Sequence, residues 1–181
     1  MAYAVVRTDL MHATDVRGEL VSLRYVVVTQ EGGKTVETET EIENGHVLKV
    51  GALYDDKREL RKGMNVAAND NLRDIVLVAT PEVPYDERQK SLENFINEAG
   101  RNIRGYRLHS GDIFSVTKEA LDGANTPKVG DIVELKAGTK LNVVSTLTNG
   151  STKVGKIVDI NIVGRYTYYV IEVGEVTGVS A

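Results

Sequence analysis

Short β-prone runs separated by glycine turns, about 8–12 residues apart, restrict this chain more than any other feature. Residues 20–29 (LVSLRYVVVT) are dense in Val and Tyr and predict a strand. Glu31-Gly32-Gly33-Lys34 and Glu43-Asn44-Gly45 are hairpin-type turns, since Gly and Asn reach the positive φ that tight hairpins require. Between them, 34–42 (KTVETETEI) alternates Thr and Val with Glu. That pattern predicts a strand with a solvated acidic face, whose charges blunt an exposed edge. Residues 46–53 give another short strand, 58–64 a charged stretch ending in a Lys62-Gly63 turn. Residues 74–80 (DIVLVAT) form a near-continuous apolar run, as in a strand buried on both faces. Pro81 and Pro84 close it.

The second half repeats the pattern. Gly-Asp-Ile at 111–113 and again at 130–132 opens a β run each time. Residues 117–121 predict one helical turn, and 140–147, 156–163 and 165–173 predict strands. In the last, Tyr166, Tyr168 and Val170 fall on one face, Thr167, Tyr169, Ile171 and Val173 on the other.

One stretch breaks the β pattern. Asp86 with Gln89 three residues on fits a capping box, and Leu92, Phe95, Ile96 and Ala99 share one helical face. Gly100 follows as a helix stop. Acids (Asp86, Glu87, Glu93, Glu98) come early and bases (Arg101, Arg104) late, as the helix dipole favours. The expected fold is therefore mainly β (α+β): two small β-barrel or β-sandwich modules with one amphipathic helix at about 86–99 between them. The parts are an N-terminal arm or first strand (1–18), a first β module (19–84), the helix and connector (85–110) and a C-terminal β module (111–181). Modules this small are marginal alone, so a shared core or a homo-oligomer is expected.

Function classes narrow by exclusion. The chain has no Cys, which removes disulfides and thiolate chemistry. A net charge of −4 disfavours phosphate-backbone binding to nucleic acid. No apolar run approaches the ~20 residues of a membrane helix. His12, His46 and His109 lie in no metal-ligand pattern. Arg107, His109, Ser110 and Asp112 crowd one stretch, but adjacency in a chain is poor grounds for a triad. The acidic groups Glu37/Glu39/Glu41 and Asp55/Asp56 read as solvated faces. No catalytic, cofactor or metal residue is expected. An interface is the reading for Tyr3, Arg7, Arg101, Arg104, Arg107, His109, Tyr166 and Tyr168, from their basic or amphipathic side chains.

The runs VATPEVPYDER (78–88), FINEAG (95–100) and RGYRLHSGDIFSV (104–116), with GKIV (155–158) and the 166–173 strand, resemble small head-associated proteins of tailed bacteriophages of Gram-positive hosts. The resemblance covers the chain from about residue 42 onward. It implies a head decoration or auxiliary capsid protein, made in the host cytoplasm and carried on the virion surface. Its partners would be the major capsid protein and copies of itself, with a trimer as one form, and it would need no cofactor, nucleic acid or membrane. The alternatives are another virion β-domain protein (head-fibre base, tail or host-binding module) and, less favoured, a carbohydrate-binding or enzymatic domain.

Overall fold

The computed structural model describes residues 3–7, 20–54, 57, 59–83 and 92–174. Two β modules form. In the first, β1 (Leu20–Glu31), β2 (Lys34–Glu39), β3 (Val47–Leu53), β4 (Leu60–Met64), β5 (Ile75–Val78) and β6 (Ile103–Arg107) make one sheet. Five of these close a barrel in the order β1-β4-β3-β5-β6, with β6 pairing back onto β1. The β1–β4 pair is parallel and the other barrel pairs are antiparallel. In the second, β7 (Ile113–Val116), β8 (Leu121–Gly123), β9 (Ile132–Glu134), β10 (Leu141–Val144), β11 (Lys153–Val163) and β12 (Tyr166–Val173) form a curled half-barrel, ordered β7-β12-β11-β9-β10-β8.

The modules share a core, and β5 is the wall between them. Its Val76 and Val78 point into the barrel against Leu23, Leu48 and Ile103. Its Ile75 and Leu77 point the other way, into a cluster with Phe114, Leu135, Ile157 and Ile171. All four residues are buried, as the unbroken apolar run predicts. Backbone bonds stitch the modules further. Val66 and Gly138 exchange N–H···O bonds of 2.8 and 3.0 Å, and Val47 N–H donates to Thr139 O at 2.7 Å. Thr152 donates through both its N–H and its hydroxyl, to Ala68 O and Asp70 O.

The predicted helix is the main correction. The described residues contain no α-helix. Residues 86–91 lie outside the described residues, but 92–99 are visible and are not α-helical. They make one 3-10 turn, Leu92–Asn94, and then an extended bridge between Asn97 and Ile42. The cause is specific. Asn97 and Ile42 exchange two backbone bonds of 2.9 Å, and the Asn97 amide donates to Ile42 O and Asn44 Oδ1. A side chain that satisfies backbone outside a helix competes with the helix itself. Gly100 does take a positive φ of 78°, but in a turn closed by Arg101 N–H to Glu98 O.

Three strands hide from the sequence pattern, and the first is β6, which lies in the stretch expected as connector (85–110) yet closes the barrel against β1. β4 falls where a charged stretch and a turn are expected; Gly63 is in fact a barrel strand residue, where a Cβ would meet Leu48 Cδ1 at 2.7 Å. β8 follows the single 3-10 turn Lys118–Ala120 that the 117–121 pattern anticipates. The acidic face of β2 is solvated at Glu37 and Glu41, as expected, but two of its carboxylates are also paired. Lys62 pairs with Glu37, Arg24 pairs with Glu39 at 3.2 Å, and the Tyr54 hydroxyl donates to Glu39 at 2.9 Å. These carboxylates are neutralised against the barrel; Asp55 and Asp56 lie outside the described residues.

Candidate functional site

The N-terminal segment builds one side of the most distinctive surface. Ala4, Val5 and Val6 are buried. Val6 bridges Val116, while Val5 and Thr117 bond each other through backbone and hydroxyl groups. Residues 3–7 thereby cover the outer edge of β7, and Tyr3 N–H reaches Glu93 O at 3.1 Å.

The other side is the β11–β12 ribbon. Its register pairs Val163 with Tyr166 and Asn161 with Tyr168, beyond the span where β7 and β9 flank it. Gly164, at φ 61°, makes the tight turn possible. Tyr169, Ile171 and Val173 face the shared core, as their alternation predicts. Tyr166 and Tyr168 face the N-terminal segment instead. Their ring centroids lie 6.0 Å apart at 48°. The Arg7 guanidinium sits 5.6 Å from the Tyr168 ring, and that of Arg165 sits 5.2 Å from the Tyr166 ring. Arg165 also donates to Glu93 Oε1 at 2.7 Å and to the Tyr166 hydroxyl at 3.2 Å. The Tyr166 hydroxyl first, and the charge of Glu93 next, hold the Arg165 guanidinium even more firmly protonated.

Four of the residues expected at an interface, Tyr3, Arg7, Tyr166 and Tyr168, thus converge on one surface. Tyr168 is only 3% exposed, so it supports that surface from below. The sequence pattern misses Arg165, Glu93 and the ribbon's apolar end. Ile162 is 76% and Val163 48% exposed there. Their position next to a two-residue turn is the signal that could have marked them.

The other four expected residues sit on β6 and its flanks. Arg101 pairs with Glu98 at 3.3 Å. Arg104 uses its backbone, taking Thr80 Oγ1 as acceptor at 3.0 Å, with its side chain exposed. Arg107 donates to Arg73 O at 2.6 Å. His109 donates its N–H to Asp112 Oδ2 at 2.8 Å, and its ring Nδ1 lies 3.6 Å from the same oxygen. Asp112 thereby closes the turn between β6 and β7. A cleft of about 290 Å³ opens beside that turn, lined by Ser110, Gly111, Lys153, Lys156 and Glu172 among others. Among the described residues no three His, Asp or Glu side chains converge as a metal site.

Comparison with protein-family models, with curated proteins and with solved structures found no match to this chain.

Proposed function

We propose that this chain is a structural protein of a virion: a head decoration protein that binds the outside of a tailed-phage capsid and stabilises the major-capsid lattice. The observation that carries the reading is the end of the β11–β12 ribbon. It presents Ile162 and Val163, neighbours in the chain, to solvent beside the braced Arg165–Tyr166 pair, whereas the other exposed large apolar residues, Val83, Val129 and Leu20 among them, stand singly in the chain. An apolar tip with an aromatic and an arginine beside it has the composition of a protein interface core. The tip is too small to bind tightly alone. Repetition over a symmetric shell makes weak contacts sufficient, and a ligand of the assembled state alone stabilises that state.

Mixing the protein with expanded shells of the major capsid protein tests this. Electron cryomicroscopy should show density at regular outer-shell sites, with the ribbon end against the shell. The double variant Ile162→Asp, Val163→Asp should keep its far-ultraviolet spectrum and lose co-sedimentation by at least tenfold. Bare shells, or undiminished binding by that variant, would overturn the proposal. Protein found on tails instead would favour a tail component.

A further inference from the structure

We infer that the outer edge of β2 pairs antiparallel with β2 of a second copy, about a two-fold axis through Val36. β1 and β2 run on past the barrel as a two-stranded ribbon, from the Val26–Glu39 pair to the Glu31–Lys34 pair. Gly32 and Gly33 close it at φ 57° and 78°, the two positive angles of a two-residue hairpin loop. In such a hairpin the residues flanking the loop form a hydrogen-bonded pair, and bonding alternates from there. The N–H and C=O groups of Thr35, Glu37 and Glu39 therefore point away from β1. Among the described residues β2 pairs with β1 alone, which leaves those groups available as a template for another strand.

Charge and overlap select the register: a centre at Thr35 also opposes no like charges but pairs only residues 34–36 of β2, against 34–38 for a centre at Val36. A perpendicular two-fold keeps each sheet face on the same side, so a residue must oppose one of equal parity. Centring on Glu37 would set that carboxylate against its own copy. Centring on Val36 sets Val36 against Val36, Lys34 against Thr38 and Thr35 against Glu37. No like charges are then opposed, and the Thr35–Glu37 pairs join through the outward backbone groups. Lys62 and Arg24 already neutralise Glu37 and Glu39 from the barrel side, so the acids do not repel the arriving strand. The result is a four-stranded ribbon with the two half-buried Val36 side chains at its centre. It is independent of shell binding.

The absence of Cys makes the test clean. Val36 lies in a non-hydrogen-bonded pair with its own copy, where Cα atoms are about 4.5 Å apart and a disulfide fits. Val36→Cys should form a disulfide-linked dimer at least tenfold faster than Thr38→Cys, whose copies would stand about 13 Å apart along the strands. Thr35→Pro removes an outward N–H that the hairpin does not use. It should leave the circular dichroism spectrum intact and raise the dimer dissociation midpoint in light scattering at least tenfold. Equal cross-linking rates, an unchanged midpoint in Thr35→Pro, or a wild-type monomer at millimolar concentration would each overturn the inference. Loss of shell binding by Thr35→Pro with no wild-type dimer would also overturn it, because the edge would then serve the shell. Loss of shell binding in the tip variant alone leaves this pairing standing.

Discussion

Two buried polar residues, Glu134 and His46, make the stability of the molecule depend on pH. Glu134 is 1% exposed, yet its carboxylate is fully engaged. It accepts from Thr148 N–H at 2.8 Å, the Thr148 hydroxyl at 2.7 Å and the Asn142 amide at 2.8 Å, which pins the loop after β10. Burial alone would raise its pKa, but those donors outweigh it and hold the carboxyl below its ordinary value. Glu134→Ala strands the donors, and urea unfolding should show a loss of about 3 kcal/mol. His46 is 6% exposed, with its Nδ1 3.2 Å from the Thr139 hydroxyl and no hydrogen-bond partner for Nε2. Burial first, and Lys140 next, push its pKa down to about 4, against a smaller opposite pull from Asp122. A Glu43 oxygen stands 3.9 Å from Nε2 and would favour the charged ring, but it already accepts from Ala4 N–H, so burial prevails. The unfolded chain protonates this ring near 6.5 and the folded chain does not until about 4. Stability is therefore full above about pH 6.5 and falls as pH drops toward 4, by on the order of 3 kcal/mol. Urea midpoints from pH 7 to pH 4 should decline, and His46→Gln should flatten that slope. Glu134 adds a further loss below its ordinary 4.5. Neither residue stands out in the sequence. His46 and Glu134 sit inside ordinary strand patterns; contact with Thr139 of the other module accompanies the burial of His46, and Asn142 and Thr148 of its own half-barrel enclose Glu134.

At the scale of the element, legibility follows how local the deciding contacts are. β1, β5, β11 and β12 can be read because alternation, apolar runs and glycine turns act within a few residues. The 92–99 stretch misleads because its helical spacing is real, while Asn97 answers to Ile42, which is 55 residues away. β4 is hidden for a related reason. Its glycine exists to fit a barrel wall that only the closed sheet creates. Gly105 in β6 obeys the same constraint. A Cβ there would meet Leu23 Cδ1 at 2.6 Å and Val76 Cγ2 at 2.7 Å, inside the barrel. Both neighbours are rigidly packed, so Gly105→Ala overfills the space and should cost about 1–3 kcal/mol in chemical denaturation. The equivalent change at Gly130, where nothing lies within 4 Å, meets no such wall but has to hold φ 97°. Its penalty comes from the backbone and not from packing. The grouping of Tyr3, Arg7, Tyr166 and Tyr168 is not legible in the sequence, because they come from opposite ends of the chain and only the pairing of residues 3–7 and of β12 with β7 brings them together.

For the whole molecule, the decisive fact is that two β modules possess one main core. The larger apolar cluster takes Val47, Leu72, Ile75 and Leu77 from the barrel side and Phe114, Leu135, Ile157 and Ile171 from the half-barrel. The cluster inside the barrel is small: Leu23, Ile42, Leu48, Val76, Val78 and Ile103. Modules of this size bury too small a fraction of their surface to be more than marginal alone, given the conformational entropy of ordering them. The chain should consequently unfold as a single unit, with calorimetric and van't Hoff enthalpies in agreement. Leu77→Ala provides the sharper measurement. It deletes buried methyl groups on the half-barrel side of β5 and should cost about 2–5 kcal/mol. If the core is shared, hydrogen exchange in β1 and β6, on the barrel side, should accelerate by the same factor as exchange in β11 and β12. If the modules were energetically separate, protection would fall on one side only. Under the attachment proposed for the ribbon tip, force or thermal motion at the ribbon would be resisted by the core of the entire chain.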